Sequence, residues 1–129
     1  MYFDITVDER KTGVYVVTPE GRLDSNTYMD FEKRVTPLLV PSTRGLVIDM
    51  SGLEYISSAG VRVVLKAKKA IENQKGFFMM TDLRPQIKKV FDIINALPTM
   101  GVFRDLNEAD RYLDTMQKME IRKQEESSD

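Results

Sequence analysis

The chain has 129 residues, of which 42% are hydrophobic and 30% are charged, and this is the length and composition of one globular domain. A net charge of −1 excludes an overall electrostatic preference for nucleic acid or for an anionic membrane, so we expect neither as a direct partner. Cysteine and histidine are both absent, which excludes disulfides, thiolate metal sites and His-based triads, and we therefore expect no metal, no cofactor and no enzyme activity.

The first ten residues predict a strand rather than a targeting segment. Acids stand where a signal peptide needs basic residues, and no window of the chain reaches the ~18 apolar residues of a membrane span, so we expect a cytoplasmic protein. The alternating apolar side chains are Phe3, Ile5 and Val7. A β-branched strand over 14–18 follows a glycine turn, which predicts an antiparallel hairpin, and Pro19-Glu20-Gly21 is expected to end that strand.

A first helix is predicted after this hairpin. Asp24 or Ser25 can cap its N-terminus, since both residue types are favoured caps, and Pro37 marks its end. Its buried face would consist of Tyr28, Phe31 and Val35. A cap is the more frequent role of such residues, and a binding role is the alternative.

The most informative segment is 46–71, which predicts a strand, a turn, an exposed loop and a helix. A short apolar run over 46–48 fits a buried strand, and residues 49–52 fit the turn that ends it. The helix is predicted from the spacing of its apolar positions, which are Val61, Val64, Leu65, Ala67 and Ile71. Ser57 and Ser58 therefore lie at the N-terminus of a helix.

The serine pair has two interpretations at this position. Backbone N–H groups are unpaired in the first turn and the helix dipole is positive there, so a serine oxygen can cap the helix or a phosphate can be accommodated. Gly60 is less favourable than Ala in a helix by about 1 kcal/mol, which makes sense if another backbone approaches it. If that backbone belongs to a partner, Gly60→Ala should keep or raise the stability of the free protein.

The same helix carries a basic stripe beside the serines. Arg62, Lys66 and Lys69 recur at i, i+4 and i+7 and therefore share one side of the helix. A solvated face explains such a stripe, and a partner with an acidic surface is the alternative. The neighbouring carboxylates, Asp49 and Glu54, have no spacing that indicates an acid and base pair.

The remaining residues continue the alternation of strands and helices. Residues 77–80 are an apolar run typical of an interior parallel strand, and Pro85 begins a helix. The inward residues of that helix would be Ile87, Val90, Phe91 and Ile94. Val102-Phe103 is a strand candidate, and Asn107 can cap a last helix. Its inward residues would be Ala109, Tyr112, Leu113 and Met116.

This order of elements predicts the fold class. Strands that alternate with helices imply parallel crossovers, which are right-handed almost without exception. We therefore predict an α/β fold with one domain over 1–122, in which a mixed sheet of four to five strands packs with about four helices. Residues 123–129 are expected to form a polar C-terminal tail that frays.

The segment DMSGLEYISSAGV, residues 49–61, resembles the signature of the STAS domain family, the anti-sigma factor antagonists of bacteria. The resemblance extends over residues 3–116 and implies a STAS-like domain over 1–122. It also implies that Ser58 is phosphorylated by an anti-sigma factor serine kinase of the GHKL type. Many members of the family carry aspartate where this chain has Ser57, which leaves Ser57 as a second candidate acceptor.

A second segment, 21–27, resembles the loop and helix opening of the same family. The resemblance implies that this segment lies near the serine loop and helps to form the same binding surface. The partner-binding residues implied by the two segments are Asp24, Ser25, Thr27, Ser57, Ser58, Ala59, Gly60 and Arg62.

The resemblance favours a phosphorylation-switched binding protein. Such a protein, when unphosphorylated, sequesters an anti-sigma factor kinase and so releases a sigma factor, and a serine/threonine phosphatase resets it. The alternative within the same fold is a non-switched STAS accessory subunit of a lipid-transport complex. An enzyme with Ser58 as nucleophile is disfavoured because no base accompanies that residue.

Overall fold

The structure, a computed structural model, describes residues 3–96 and 106–127 of the chain. Its elements are, in order, β1 (Phe3–Lys11), β2 (Val14–Leu23), α1 (Tyr28–Val35), β3 (Gly45–Asp49), β4 (Leu53–Ile56), α2 (Ser58–Asn73), β5 (Phe77–Thr81), α3 (Pro85–Ala96) and α4 (Leu106–Ser127). A short 3₁₀ turn that contains Pro37 follows α1. The predicted α/β fold, a mixed sheet of four to five strands with about four helices, is confirmed.

The sheet has a hairpin at one side and parallel strands beyond it. Four strands lie in the order β1, β2, β3, β5. The fifth strand, β4, pairs with the C-terminal part of β2. β1 and β2 form the predicted antiparallel hairpin, whereas the pairs β2–β3, β2–β4 and β3–β5 are parallel. The second half of β2 therefore fixes where β4 lies, and with it the serines that follow.

β2 does not end at Pro19, so that prediction is wrong. Residues 14–17 of β2 pair with β3, and residues 21–23 pair with β4. Pro19 lies between these two pairings, so neither β3 nor β4 needs the N–H group that proline lacks. On the β1 side, Pro19 is paired with Ile5. The Ile5 carbonyl accepts a hydrogen bond from Arg34 Nη1 at 3.3 Å, so it does not depend on an N–H group from Pro19. A strand can therefore continue through a proline at the point where it changes partner.

The core lies on one face of the sheet. Val17 and Ile48 are paired across β2 and β3 and are fully buried. The helices add to the same cluster through residues that include Phe31, Val64, Ile71 and Val90. The prediction that β5 is an interior strand is wrong, because β5 is the last strand in the order β1, β2, β3, β5. Phe77 and Met79 on its other face are 48% and 49% exposed.

α4 buries a partly different face from the one predicted. Ala109 and Leu113 are buried as expected, but Tyr112 is 43% exposed. The next buried position after Leu113 on this side is Gln117, a polar residue. The apolar spacing alone therefore misplaces the stripe, since a glutamine occupies one of its inward positions.

The limits of α4 also differ from the prediction. The helix begins at Leu106, so Asn107 lies inside it and is not its cap. It continues to Ser127, so residues 123–127 of the expected tail are helical, while the domain boundary at residue 122 stays a prediction. The strand candidate Val102-Phe103 lies outside the described residues. Across residues 3–96 and 106–127, no helix is both long and apolar enough to cross a membrane.

Candidate functional site

The serine pair lies at the start of α2, as predicted. Ser57 is the N-cap, with an extended backbone, and its hydroxyl accepts a hydrogen bond from Gly60 N at 3.4 Å. This bond satisfies one of the N–H groups left unpaired in the first turn. The prediction of an exposed loop is wrong, because Ser57 and Ser58 have only 5% and 6% of their surface exposed.

Strand β4 explains why the serines are buried. Leu53 and Ile56 at its two ends are both in the core. The strand pairs with the end of β2, and Ser57 N then donates to Leu23 O at 2.9 Å. The chain is therefore held against β2 immediately before α2. Four residues are too few for an alternating pattern to stand out in the sequence.

Gly60 packs closely against the end of β2. A Cβ at this position would lie 2.9 Å from Leu23 O, from Leu23 Cγ and from Ile56 Cγ1. A close backbone approach therefore does require glycine here, but the approaching backbone is the chain's own. This packing argues against the expectation that alanine would keep or raise stability.

The segment after β2 forms a hydrogen-bonded turn rather than a helix cap. Thr27 Oγ1 donates to Arg22 O at 2.7 Å and accepts from Asp24 N at 2.9 Å. The Asp24 carboxylate accepts from Asn26 N at 2.9 Å. α1 begins only after Thr27, whose side chain makes no capping bond. The prediction that Asp24 or Ser25 caps α1 is therefore wrong, because the turn delays the helix by about one turn.

α4 places a carboxylate at the start of α2. Asp110 Oδ1 accepts a hydrogen bond from the backbone N–H of Ser58 at 2.9 Å. The helix dipole and the unpaired N–H groups stabilise a negative charge at such a position. The two residues are 52 positions apart, so no local pattern in the sequence indicates the contact.

Two glutamine side chains cover the edge of β4 that faces away from β2. Gln117 Oε1 accepts from Ile56 N at 3.0 Å, and Gln117 Nε2 donates to Ile56 O at 2.8 Å. Gln86 Nε2 donates to Glu54 O at 3.1 Å. The Gln117 amide therefore satisfies both backbone groups of Ile56, as a neighbouring strand would. It also fixes α4 against the strand that leads into the serines.

Tyr55 connects β4 with β2 and α4. The Arg22 guanidinium lies 3.9 Å from the centre of the Tyr55 ring, which is within the range of a cation–π contact. Burial raises the pKa of Tyr55 to about 12, and the Asp114 carboxylate adds to the rise through its charge and a hydrogen bond with the phenol. At neutral pH the phenol therefore keeps its proton, and its O–H group donates the hydrogen bond to the Asp114 carboxylate.

A groove of about 530 Å³ runs along α2 from the serine pair. We call it the α2 groove, and it is lined by Ser58, Val61, Arg62, Leu65, Lys66, Lys69 and Ile94. Its lining is apolar apart from Ser58 and the three residues of the basic stripe, which are exposed. The predicted basic stripe therefore borders an apolar groove that starts at a candidate acceptor.

A comparison with protein families gives a match to the STAS domain over residues 6–109. The chain belongs to the STAS domain family. This STAS domain is similar to BtrV of Bordetella bronchiseptica, which is named as a candidate anti-sigma factor antagonist. The two are 31% identical over 90 residues, which cover 70% of this chain and 78% of BtrV.

Solved structures share the fold of this STAS domain. SpoIIAA of Bacillus in its phosphorylated form gives a TM-score of 0.62 at 17% identity and covers 70% of this chain and 83% of its own. An anti-sigma factor antagonist from Mycobacterium paratuberculosis gives a TM-score of 0.60 at 20% identity, with 88% and 95% covered. At these identities the likeness concerns the fold alone.

The STAS domain brings its two predicted site segments together at Leu23. The Leu23 carbonyl accepts from Ser57 N, the Leu23 side chain lies against Gly60, and Asp24 follows directly. The other predicted partner-binding residues are the exposed Ser25 and Arg62 and the partly exposed Thr27 and Ala59. The binding role of all these residues stays a prediction. Asp110 and Gln117, which complete the site, were missed because they lie far away in the sequence.

Proposed function

We propose that this STAS domain is an anti-sigma factor antagonist switched by phosphorylation of Ser58. In the unmodified form it sequesters an anti-sigma factor kinase of the GHKL type and so releases a sigma factor. The kinase ends this binding by phosphorylating Ser58, and a serine/threonine phosphatase restores it. The protein acts in the cytoplasm, as a binding protein and not as an enzyme. Its likeness to BtrV over 90 residues supports the antagonist role.

The observation that carries the choice of acceptor is the different use of the two serines. The Ser57 hydroxyl accepts from Gly60 N as the cap of α2. Ser58 instead lines the α2 groove beside Arg62, and its bond to Asp110 uses the backbone N–H. Although Ser58 is only 6% exposed, it borders the open groove, where a partner can reach it.

A phosphate on Ser58 changes the charge of this site without requiring a new fold. It adds about −1.5 to −2 charge, which the N-terminus of α2 can stabilise. Asp110 already binds the N–H of Ser58, so the phosphate and this carboxylate repel each other. A partner bound over the site must desolvate the phosphate, and we expect about a hundredfold weaker binding.

The test uses the intact chain, ATP and the purified GHKL anti-sigma factor kinase of the same cell. The wild type should gain one phosphate, Ser58→Ala none, and Ser57→Ala should keep most of the labelling despite a weaker cap. Titration of the kinase should show about a hundredfold tighter binding of the unmodified form. Circular dichroism should show that both forms stay folded.

Three outcomes would each contradict a different part of the proposal, namely the acceptor, the switch and the partner. Labelling that survives in Ser58→Ala and is lost in Ser57→Ala would move the acceptor to Ser57. Equal affinity of the two forms would remove the switch. Capture of transporter subunits in place of a kinase would favour the accessory subunit of a lipid-transport complex.

A further inference from the structure

The α2 groove combines an apolar lining with cations that are spread along it. Arg62, Lys66 and Lys69 recur at i, i+4 and i+7, so they span about 10 Å of the helix. All three are exposed, and the contact of Lys66 with Glu32 at 3.3 Å is an exposed ion pair of the kind that contributes little. The stripe is therefore available to a partner.

The spread of the cations indicates the shape of that partner. A single phosphate or carboxylate headgroup needs donors that converge on one point, whereas these three cations form a row. A row at i, i+4 and i+7 matches acidic side chains at the same spacing on a second helix. The apolar lining between α2 and α3, from Leu65 and Ile94, would take the apolar face of that helix.

We propose that the α2 groove binds an amphipathic helix of a partner protein, with its apolar residues on Leu65 and Ile94 and its acidic residues along Arg62, Lys66 and Lys69. This proposal rests on the proposed function in one respect, since the helix would belong to the anti-sigma factor kinase. The groove itself is formed by residues of this chain. Its chemistry can therefore be tested without the kinase.

The proposal also connects the groove to Ser58. Ser58 and Arg62 are separated by four positions on α2, so a phosphate on Ser58 lies within reach of the Arg62 guanidinium. The phosphate pairs with a cation that the acidic helix requires, and its charge repels that helix directly. Phosphorylation therefore weakens the binding of an acidic helix in two ways, and both act at the Ser58 end of the groove.

The test is an NMR titration of the isotope-labelled full chain with synthetic peptides. One peptide, of about 18 residues to favour helicity, carries leucines on one face and glutamates at i, i+4 and i+7 beside them. A matched peptide carries lysines in place of these glutamates, and oleate serves as a third probe. The acidic peptide should shift the signals of Leu65 and Ile94, bind at least about tenfold more tightly than the basic one, and weaken with added salt.

Matched variants locate the binding. Arg62→Glu combined with Lys69→Glu should weaken the acidic peptide about tenfold or more, because attraction becomes repulsion. Lys68→Glu combined with Lys88→Glu is the control, since it changes the net charge by the same amount. Both lysines lie outside the groove, in ion pairs with Glu72 at 3.3 Å and Asp92 at 2.8 Å. This control should change the affinity less than about twofold. Melting curves should show that all variants are folded.

The outcomes separate this proposal from the proposed function. Equal binding of the acidic and basic peptides, shifts outside the groove, or binding of oleate alone would overturn the helix proposal. A kinase that binds the wild type and the Arg62→Glu, Lys69→Glu variant equally well would overturn it too and would leave the proposed function intact. A kinase that binds neither protein would contradict the proposed function. The peptide titration would still show whether the α2 groove binds an acidic helix.

Discussion

Gly60→Ala should destabilise the free protein, because Gly60 is packed against the end of β2. A Cβ there would lie 2.9 Å from three atoms, namely Leu23 O, Leu23 Cγ and Ile56 Cγ1. The oxygen is a backbone atom, and it is held in place by its hydrogen bond from Ser57 N at 2.9 Å. The new methyl group can therefore be accommodated only if α2 moves away from β2 or the pairing of β2 with β4 shifts.

Two effects of opposite sign set the size of the change. Alanine is favoured over glycine inside a helix by about 1 kcal/mol. Overpacking of a buried site costs about 1–3 kcal/mol, and the upper half of that range applies because a backbone atom has to move. The net loss in the free energy of unfolding is about 1–2 kcal/mol. For a chain of 129 residues this lowers the Tm by about 3–8 °C.

Thermal and urea unfolding of the two proteins would measure this loss. Gly52→Ala is a suitable control, because the atom nearest to a Cβ at Gly52 is a side-chain atom, Glu20 Cγ at 2.8 Å, and the nearest backbone atom, Pro19 O, is 3.3 Å away rather than 2.9 Å. The loss for Gly52→Ala should be smaller than for Gly60→Ala. If Gly60→Ala melts at or above the wild-type temperature, the packing argument is refuted and a role of Gly60 at a partner interface becomes the better explanation.

Three further predictions concern the contacts around β4 and α2. Ser58→Asp should lower the Tm, and Asp110→Asn should recover part of the loss by removing the second negative charge, with a coupling energy of about 1 kcal/mol in a double-mutant cycle followed by urea unfolding. Gln117→Glu should cost about 2–3 kcal/mol at pH 7, where a buried carboxylate faces Ile56 O, and less near pH 4, where the protonated carboxyl can donate to that oxygen. Because the pKa of Tyr55 is raised to about 12, its contribution to stability is present below about pH 10 and is lost as the pH rises toward 12. Over this window the wild type should lose about 1 kcal/mol more than Tyr55→Phe, a value reduced for the solvent screening of a half-exposed phenol.

Each of these predictions has an outcome that contradicts it. Additive effects of Ser58→Asp and Asp110→Asn would mean that the two charges do not interact. A loss for Gln117→Glu that is the same at pH 7 and pH 4, measured against the wild type at each pH, would mean that its charge is not the cause. Parallel pH profiles of the wild type and Tyr55→Phe would mean that burial does not perturb this phenol.

The elements that could be predicted from the sequence are those whose patterns are local. The alternation in β1 shows directly which side chains face the core, and Ile5 is buried accordingly. The apolar spacing in α2 and α3 likewise identifies their inward faces, and Pro85 marks the start of α3. The STAS-like motif over 49–61 then indicates which helix N-terminus carries the candidate site.

The rest could not be predicted because it depends on pairings between distant segments. Pro19 lies inside β2 since the strand changes partner there, and that change is decided by β3 and β4. Gln117 occupies an inward position of α4 because the backbone of Ile56 needs its amide, and a glutamine in the sequence carries no sign of this need. Asp110 at Ser58 is a contact of the same kind.

The cover that Gln117 provides for β4 has a consequence for the synthesis of the protein. The amide comes 61 positions after Ile56, the residue it pairs with. At a translation rate of about 5–20 residues per second, β4 is made about 3–12 s before this cover exists. During that interval a strand that carries Leu53 and Ile56 has an unprotected edge, which other nascent chains can extend by pairing. The risk of aggregation on the ribosome therefore depends on how soon α4 is made and docks.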